Sequence, residues 1–115
     1  EKVEVHERSD TVAAGYLEFT HAKVKWFLSI DVNFVPKQLQ AKGQRTYRSI
    51  TMNGQEIEFS EGFTDLHTAV YQRILAGDGF GLEDTAQAIR IVEQIRQLPI
   101  VDDSELRHSF LEARA

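Results

Sequence analysis

Cysteine is absent from this 115-residue chain, which excludes disulfides, thiolate zinc sites and a thiol nucleophile. Proline occurs only twice, so no proline-rich linker or recognition segment is present. Basic charge is in deficit: 13 Lys and Arg stand against 18 Asp and Glu, for a net charge of −5. With no basic stripe interleaved with aromatics, that balance excludes a general nucleic-acid partner. No apolar run approaches the length of a bilayer span, so no membrane insertion is expected. The amino end, Glu1-Lys2-Val3-Glu4-Val5, has neither a signal nor a transit pattern and reads as a strand already under way. It also lacks an initiator Met, so the expectation is a piece of a longer, cytoplasmic protein.

What is present is an ordinary globular composition, 42% hydrophobic and 27% charged, enough for one domain with a core over residues 1–115. The first sixty residues alternate with a period of two, the mark of strands. Lys2 to Glu7, Val12 to Phe19 and Ala22 to Ile30 read as three strands, with a bend at Thr20 and His21. Setting Thr20 opposite Lys23 pairs Phe19 with Val24, Leu17 with Trp26 and Gly15 with Leu28 on one face. The other face then pairs Glu18 with Lys25 and Tyr16 with Phe27. Asp31 to Gly43 reads as a connection. Asn53-Gly54 between two alternating runs predicts a type I′ hairpin that sets Met52 opposite Gln55, Ile50 opposite Ile57 and Arg48 opposite Phe59. Ile50, Ile57 and Phe59 are then expected to face the core.

Beyond Gly62 the period becomes helical. Leu66, Ala69, Val70 and Ile74 make one stripe, with Thr64 as N-cap and Gly77 as the stop. A second helix spans Leu82 to Leu98 with the stripe Ala88, Ile91, Val92, Ile95 and Leu98. Glu83 and Asp84 suit its start and Pro99 ends it. Residues 102–115 read as a short helical tail. Strands followed by helices predict the α+β class: an open-faced antiparallel β-sheet with helices packed on one face. The face of Tyr16 and Phe27 is then left without a helix to cover it.

The chemistry-bearing candidates are few. Gly77-Asp78-Gly79-Phe80-Gly81 looks like a phosphate loop but follows a helix, whereas a dinucleotide fingerprint must follow a strand, so it reads as a helix–helix turn. His6, His21, His67 and His108 stand at no ligand spacing and predict no metal site. His67 lies in the first turn of a helix, where anions are favoured. The densest polar cluster is Gln44-Arg45-Thr46-Tyr47-Arg48-Ser49. Arg45 suits a bidentate contact with phosphate or carboxylate, Tyr47 suits stacking on a base or sugar, and Arg48 falls on the core-facing side. Glu56 and Glu58 read as a solvated strand face. No nucleophile motif is present, and no catalytic residue is assigned.

Gly15-Tyr16-Leu17-Glu18-Phe19, Val24 through Trp26, Leu28 to Asp31, Gln44 to Ile50, Phe59 to Thr68, then Tyr71, Ile74, Leu75, Gly77 and Gly81 to Asp84 together resemble one protein group. The chain is similar, from about Val12 to Leu98, to the C-terminal domain of the glucose–fructose oxidoreductase/inositol dehydrogenase (Gfo/Idh/MocA) family. The nearest branch is the dehydrogenases of UDP-N-acetyl-glucosaminuronic acid that serve lipopolysaccharide O-antigen synthesis. The resemblance implies a parent enzyme whose own N-terminal Rossmann domain binds NAD, and which oxidises the sugar C3 hydroxyl by hydride transfer. It implies a Lys from an E-K-P motif and a His from a D-x-x-x-H motif. This chain has neither, so the fragment alone is expected to bind no NAD and to be inactive. Arg45, Tyr47, Arg48 and His67 are the expected contacts to a nucleotide-sugar. Tyr16, Glu18, Lys25 and Phe27 are the expected contacts of a homo-oligomer, since the resemblance also implies sheet-to-sheet packing of subunits. The competing expectation is a free-standing, non-catalytic binding or assembly module built on the same sheet.

Overall fold

The computed structural model describes residues 2–60, 65–102 and 104–112. They fold as an α+β chain with open antiparallel sheets. Where one domain was expected, the chain gathers into two compact units, residues 1–34 with 87–115 and residues 35–86. The single sheet of the sequence reading is likewise two, one of three strands and one of two. No helix among the described residues is long and apolar enough to cross a membrane.

In the first unit, strands β1 (Lys2–Arg8), β2 (Val12–Glu18) and β3 (Lys23–Ser29) form a meander in that order. The bend between β2 and β3 is tight, with the Phe19 N–H donating to the Ala22 carbonyl at 2.8 Å. This sets Glu18 opposite Lys23, Tyr16 opposite Lys25 and Ala14 opposite Phe27. The register expected from sequence was two residues out. A slip of two leaves every side chain on its expected face, because the strand period is two. Gly15 lies opposite Trp26, and a Cβ there would collide with the Glu4 carbonyl and the indole, so only glycine fits under the ring.

The expectation that the chain leaves the Tyr16 and Phe27 face bare is corrected. The segment after α3 (Leu82–Gln97) runs along β1 and covers that face. Ile100 bridges Val5 in parallel, and the Val101 N–H donates to the Val5 carbonyl at 2.8 Å. Further on, the rings of His108 and Phe110 each lie 5.6 Å from that of Phe27, which also packs on Phe34 at 4.8 Å. The short helix α4 (Ser109–Glu112) buries Leu111. Val12, Ala14 and Tyr16, alternating along β2, are buried as a result, Tyr16 to 3% exposure. The rest of the expected tail, at 103 and 113–115, lies outside the described residues. The Arg8 guanidinium closes the other end, donating to the carbonyls of Ile95 and Leu98 at 2.8 and 2.9 Å. A cation there suits the negative end of α3.

One carboxylate ties this cover to the sheet. A bulge between Val5 and Glu7 sets His6 beside Glu4. Glu4 receives Lys2 Nζ at 2.9 Å, pairs with His6 Nε2 at 2.9 Å and accepts from Ser104 Oγ at 2.7 Å. The partners from His6, Lys2 and Ser104 hold its carboxyl down to about 2, against an ordinary 4.5. His6 is buried, and its Nδ1 has no hydrogen-bond partner among the described residues.

In the second unit a short helix, α1 (Lys37–Gln40), leads to the hairpin β4 (Ser49–Met52) and β5 (Gln55–Glu58), and then to α2 (Leu66–Leu75). The hairpin forms as expected, with Met52 opposite Gln55 and Ile50 opposite Ile57. Asn53 at φ 51° and Gly54 at φ 84° supply the two left-handed residues of a type I′ turn. Ile50 and Ile57 were expected in the core, yet they are 53% and 58% exposed. They cover one another across the ladder and meet no apolar layer among the described residues of this unit, where Val35 is the buried hydrophobic residue. The stripe of α2 is exposed too, apart from half-buried Val70. Thr64, expected as its N-cap, lies outside the described residues, and Asp65 precedes the helix without a side-chain cap. Gly77, at φ 79°, ends α2 in a Schellman turn, with Gly77 N–H donating to Ile74 and Asp78 N–H to Arg73. In α3, Ile91, Ile95 and Leu98 of the expected stripe are half-buried, while Ala88 and Val92 are exposed.

Because the carboxyl of Glu4 is lowered in the folded chain, its stabilisation is complete above its ordinary value and is lost as pH falls from about 4.5 through about 2. Glu4→Gln is expected to lower the urea midpoint at pH 7 and to flatten its decline between pH 4.5 and 2. A mutant whose midpoint follows the wild-type pH curve would remove Glu4 from this role.

Candidate functional site

The hairpin sorts charge by face. Ser49 stands opposite Glu58 and Thr51 opposite Glu56, so both carboxylates share the face of Tyr47, two residues before Ser49 in the same alternation. Arg48 belongs to the other face, with Ile50 and Ile57. Its backbone extends the ladder, since the Phe59 N–H donates to the Arg48 carbonyl at 2.8 Å.

Both carboxylates are met by neutral donors. The Tyr47 hydroxyl donates to Glu56 Oε1 at 2.6 Å. Ser60 Oγ donates to Glu58 Oε2 at 2.7 Å, and Gln44 Nε2 donates to the same oxygen at 3.1 Å. These donors hold the Glu58 carboxyl below the usual range, while Glu56 pushes the Tyr47 phenol up. The Arg48 guanidinium donates to the Ser60 carbonyl at 3.2 Å, and the Arg48 N–H to Ser60 Oγ at 3.0 Å. Arg45 is exposed and has no hydrogen bond or ion pair among the described residues. Neither arginine therefore has a carboxylate partner among the described residues, though two glutamates stand on the same hairpin. Uncompensated guanidinium groups beside ordered neutral donors suit an anion with polar substituents.

Tyr47 and Arg48 thus fall into one hydrogen-bonded patch, and Arg45 lies two residues before Tyr47. His67 is exposed in the first turn of α2, and no hydrogen bond or ring contact joins it to the patch among the described residues. Sequence reasoning passed over Glu56, Glu58 and Ser60, which order the patch. Their signal was available in the hairpin register, which sets those side chains on the face of Tyr47. Of the four residues expected at a subunit contact, Tyr16 is buried, Glu18 and Phe27 are half-buried and Lys25 is exposed. Tyr16 donates to Glu18 Oε1 at 2.6 Å, which pushes its phenol up to about 12. The apolar side chains this sheet exposes are Val24 and Leu28, on the opposite face.

The glycine turn between α2 and α3 does not fit a dinucleotide. It follows a helix, and the Gly81 N–H at the start of α3 is taken by Asp84 Oδ2 at 2.7 Å. Glu83 and Asp84 make that helix start acidic, where a pyrophosphate needs bare amides. No group of three or more His, Asp or Glu among the described residues is placed to hold a metal ion.

No protein-family model matches the chain. Among solved structures it is similar to the WlbA (WbpB) dehydrogenase from Thermus thermophilus in complex with NAD and alpha-ketoglutarate. The identity is 59% over 95% of this chain, with a TM-score of 0.88. The same dehydrogenase in complex with NAD and UDP-GlcNAcA matches at 55% identity over 95% of this chain, with a TM-score of 0.87. The chain belongs to the WlbA dehydrogenase family. It spans about a third of the length of those relatives, 36% and 35%. The family resemblance drawn from the F-T-D-L-H and Q-R-T-Y-R-S stretches therefore holds, and within this WlbA-family chain the polar hairpin is the candidate site.

The turn that builds the patch depends on Gly54. Gly54→Val puts a β-branched residue at φ 84° and is expected to cost about 1–2 kcal/mol or more. Loss of the cross-strand amide contacts of Thr51 and Glu56 in an NMR spectrum would register it. An unchanged hairpin in that variant would contradict the assignment of the turn.

Proposed function

We propose that this chain is the C-terminal, substrate-binding and assembly portion of an NAD-dependent dehydrogenase. Its parent oxidises the C3 hydroxyl of a UDP-N-acetyl-hexosaminuronic acid, in the cytoplasm, on the way to lipopolysaccharide O-antigen. The observation that carries this reading is the 59% identity to a dehydrogenase solved with NAD, together with arginines at 45 and 48 that no carboxylate neutralises. The related complex with UDP-GlcNAcA supplies the chemistry the patch has to meet, a diphosphate and a uronate carboxylate on one ligand.

In this reading Arg45 takes an anionic oxygen of the ligand, Arg48 and Tyr47 line the same side, and His67 adds a polar group at the open start of α2. The chain's own residues bind and orient. The glycine turn and its acidic helix start do not fit NAD, so the cofactor belongs to the parent's own Rossmann domain, and no hydride step is assigned to residues here. Copies of the parent associate through this part. The exposed Val24 and Leu28 on the open sheet, with Glu18 and Lys25 at the edge of the other face, support that reading. Tyr16 and Phe27, expected as contacts, serve the chain's own cover.

In the intact enzyme Arg45→Ala is expected to raise KM for UDP-GlcNAcA by roughly tenfold or more, as for a charged hydrogen bond of about 1.5–3 kcal/mol, with less effect on kcat. Unchanged kinetics in both Arg45→Ala and Tyr47→Phe would reduce the cluster to plain surface.

A further inference from the structure

We propose that Glu56 sets the ligand selectivity of this site by taking the only proton of the Tyr47 phenol, so that Tyr47 meets a ligand as a hydrogen-bond acceptor. The proposal rests on the substrate-site reading above. A phenol has one proton to give, and a carboxylate can only accept. At 2.6 Å the bond from Tyr47 to Glu56 is short and charge-assisted, hence stronger than a neutral contact that a ligand offers in exchange. Tyr47 therefore selects a hydrogen-bond donor, a sugar hydroxyl or an amide N–H. It does not serve phosphate or carboxylate oxygens, which need a donor themselves.

The placement of charge points the same way. Glu56 and Glu58 stand on the face of Tyr47, and both are held ionised or proton-free by neutral donors at 2.6 and 2.7 Å. Two carboxylates on that face repel an anion and favour the neutral polar part of a ligand. Arg45 and Arg48 carry the positive charge, Arg48 on the opposite face of the ladder. Anion recognition and donor recognition are thus divided between the arginines and the tyrosine–glutamate pair. The raised phenol, with Glu56 as its main cause, keeps its proton throughout the neutral range.

The test uses the intact enzyme and two probes in calorimetric or competition binding at pH 8: UDP-GlcNAcA, which carries donors, and inorganic pyrophosphate, which presents acceptors. Tyr47→Phe and Glu56→Gln are each expected to weaken UDP-GlcNAcA by roughly three- to tenfold, as for one neutral hydrogen bond, and to leave pyrophosphate unchanged within about twofold. Arg45→Ala is expected to weaken both probes. With 13Cζ-labelled tyrosine, the resonance lost in Tyr47→Phe is expected to titrate lower in Glu56→Gln than in the wild type, a readout that a merely structural role would not move. If Arg45→Ala weakens both probes while Glu56→Gln leaves UDP-GlcNAcA binding unchanged, or weakens pyrophosphate equally, the selectivity role of Glu56 is overturned and the site reading stands. If Arg45→Ala leaves both probes unchanged, the site reading itself falls.

Discussion

The two-residue turn at Asn53 and Gly54 fixes what the rest of the hairpin can do. Its left-handed pair admits one register, and that register places Glu56 and Glu58 on the face of Tyr47 and Arg48 on the other. A slip of one residue would move both carboxylates to the face of Arg48, where ion pairing would cancel the charge. Instead the glutamates take their hydrogen bonds from tyrosine, serine and glutamine, and the arginines keep their charge for something else. Turn chemistry, strand register and electrostatics are one chain of cause here.

The first unit treats a carboxylate in the opposite way. Glu4 gathers Lys2, His6 and Ser104, and with them the segment that covers β1 and β2. A carboxylate that is partly buried and holds distant segments together is matched with a cation and is held far below its ordinary pKa. The contrast separates two roles for the same side chain. Glu4 fastens the fold, while Glu56 and Glu58 orient neighbours on an exposed hairpin whose positive groups stay unmatched. The same unit shows why Gly15 is confined. The Trp26 indole occupies the space that any side chain at position 15 would need.

Much of this was legible in the sequence, and the misses have physical causes. The Asn53-Gly54 register was readable because only a few residue pairs support a type I′ turn. The β2–β3 bend carries no such pair, only Thr20 and His21, so its register was misread by two while the faces survived. The cover over Tyr16 was missed because residues 100–112 hold the sheet through scattered contacts, a parallel bridge at Ile100, the Ser104 hydroxyl and the rings of His108 and Phe110, with no period to betray them. The exposure of Ile50 and Ile57 was equally hidden. Alternation reports which side chains share a face and says nothing of whether a layer lies against that face. At the site, residue types alone pointed to Arg45 and Tyr47, but the proton on Tyr47 needed geometry.

The functional account joins two observations of different kind. Likeness to the WlbA dehydrogenases brings the chemistry of a nucleotide-sugar, and the hairpin offers unmatched arginines beside a tyrosine whose proton is committed. The claim at its centre is that the anionic part of the ligand is held by residues 45–48. A crystal structure of the intact protein with UDP-GlcNAcA tests that most directly. The account predicts a guanidinium nitrogen of Arg45 about 2.7–2.9 Å from a phosphate or carboxylate oxygen, and a ligand bound wholly away from residues 44–60 would contradict it.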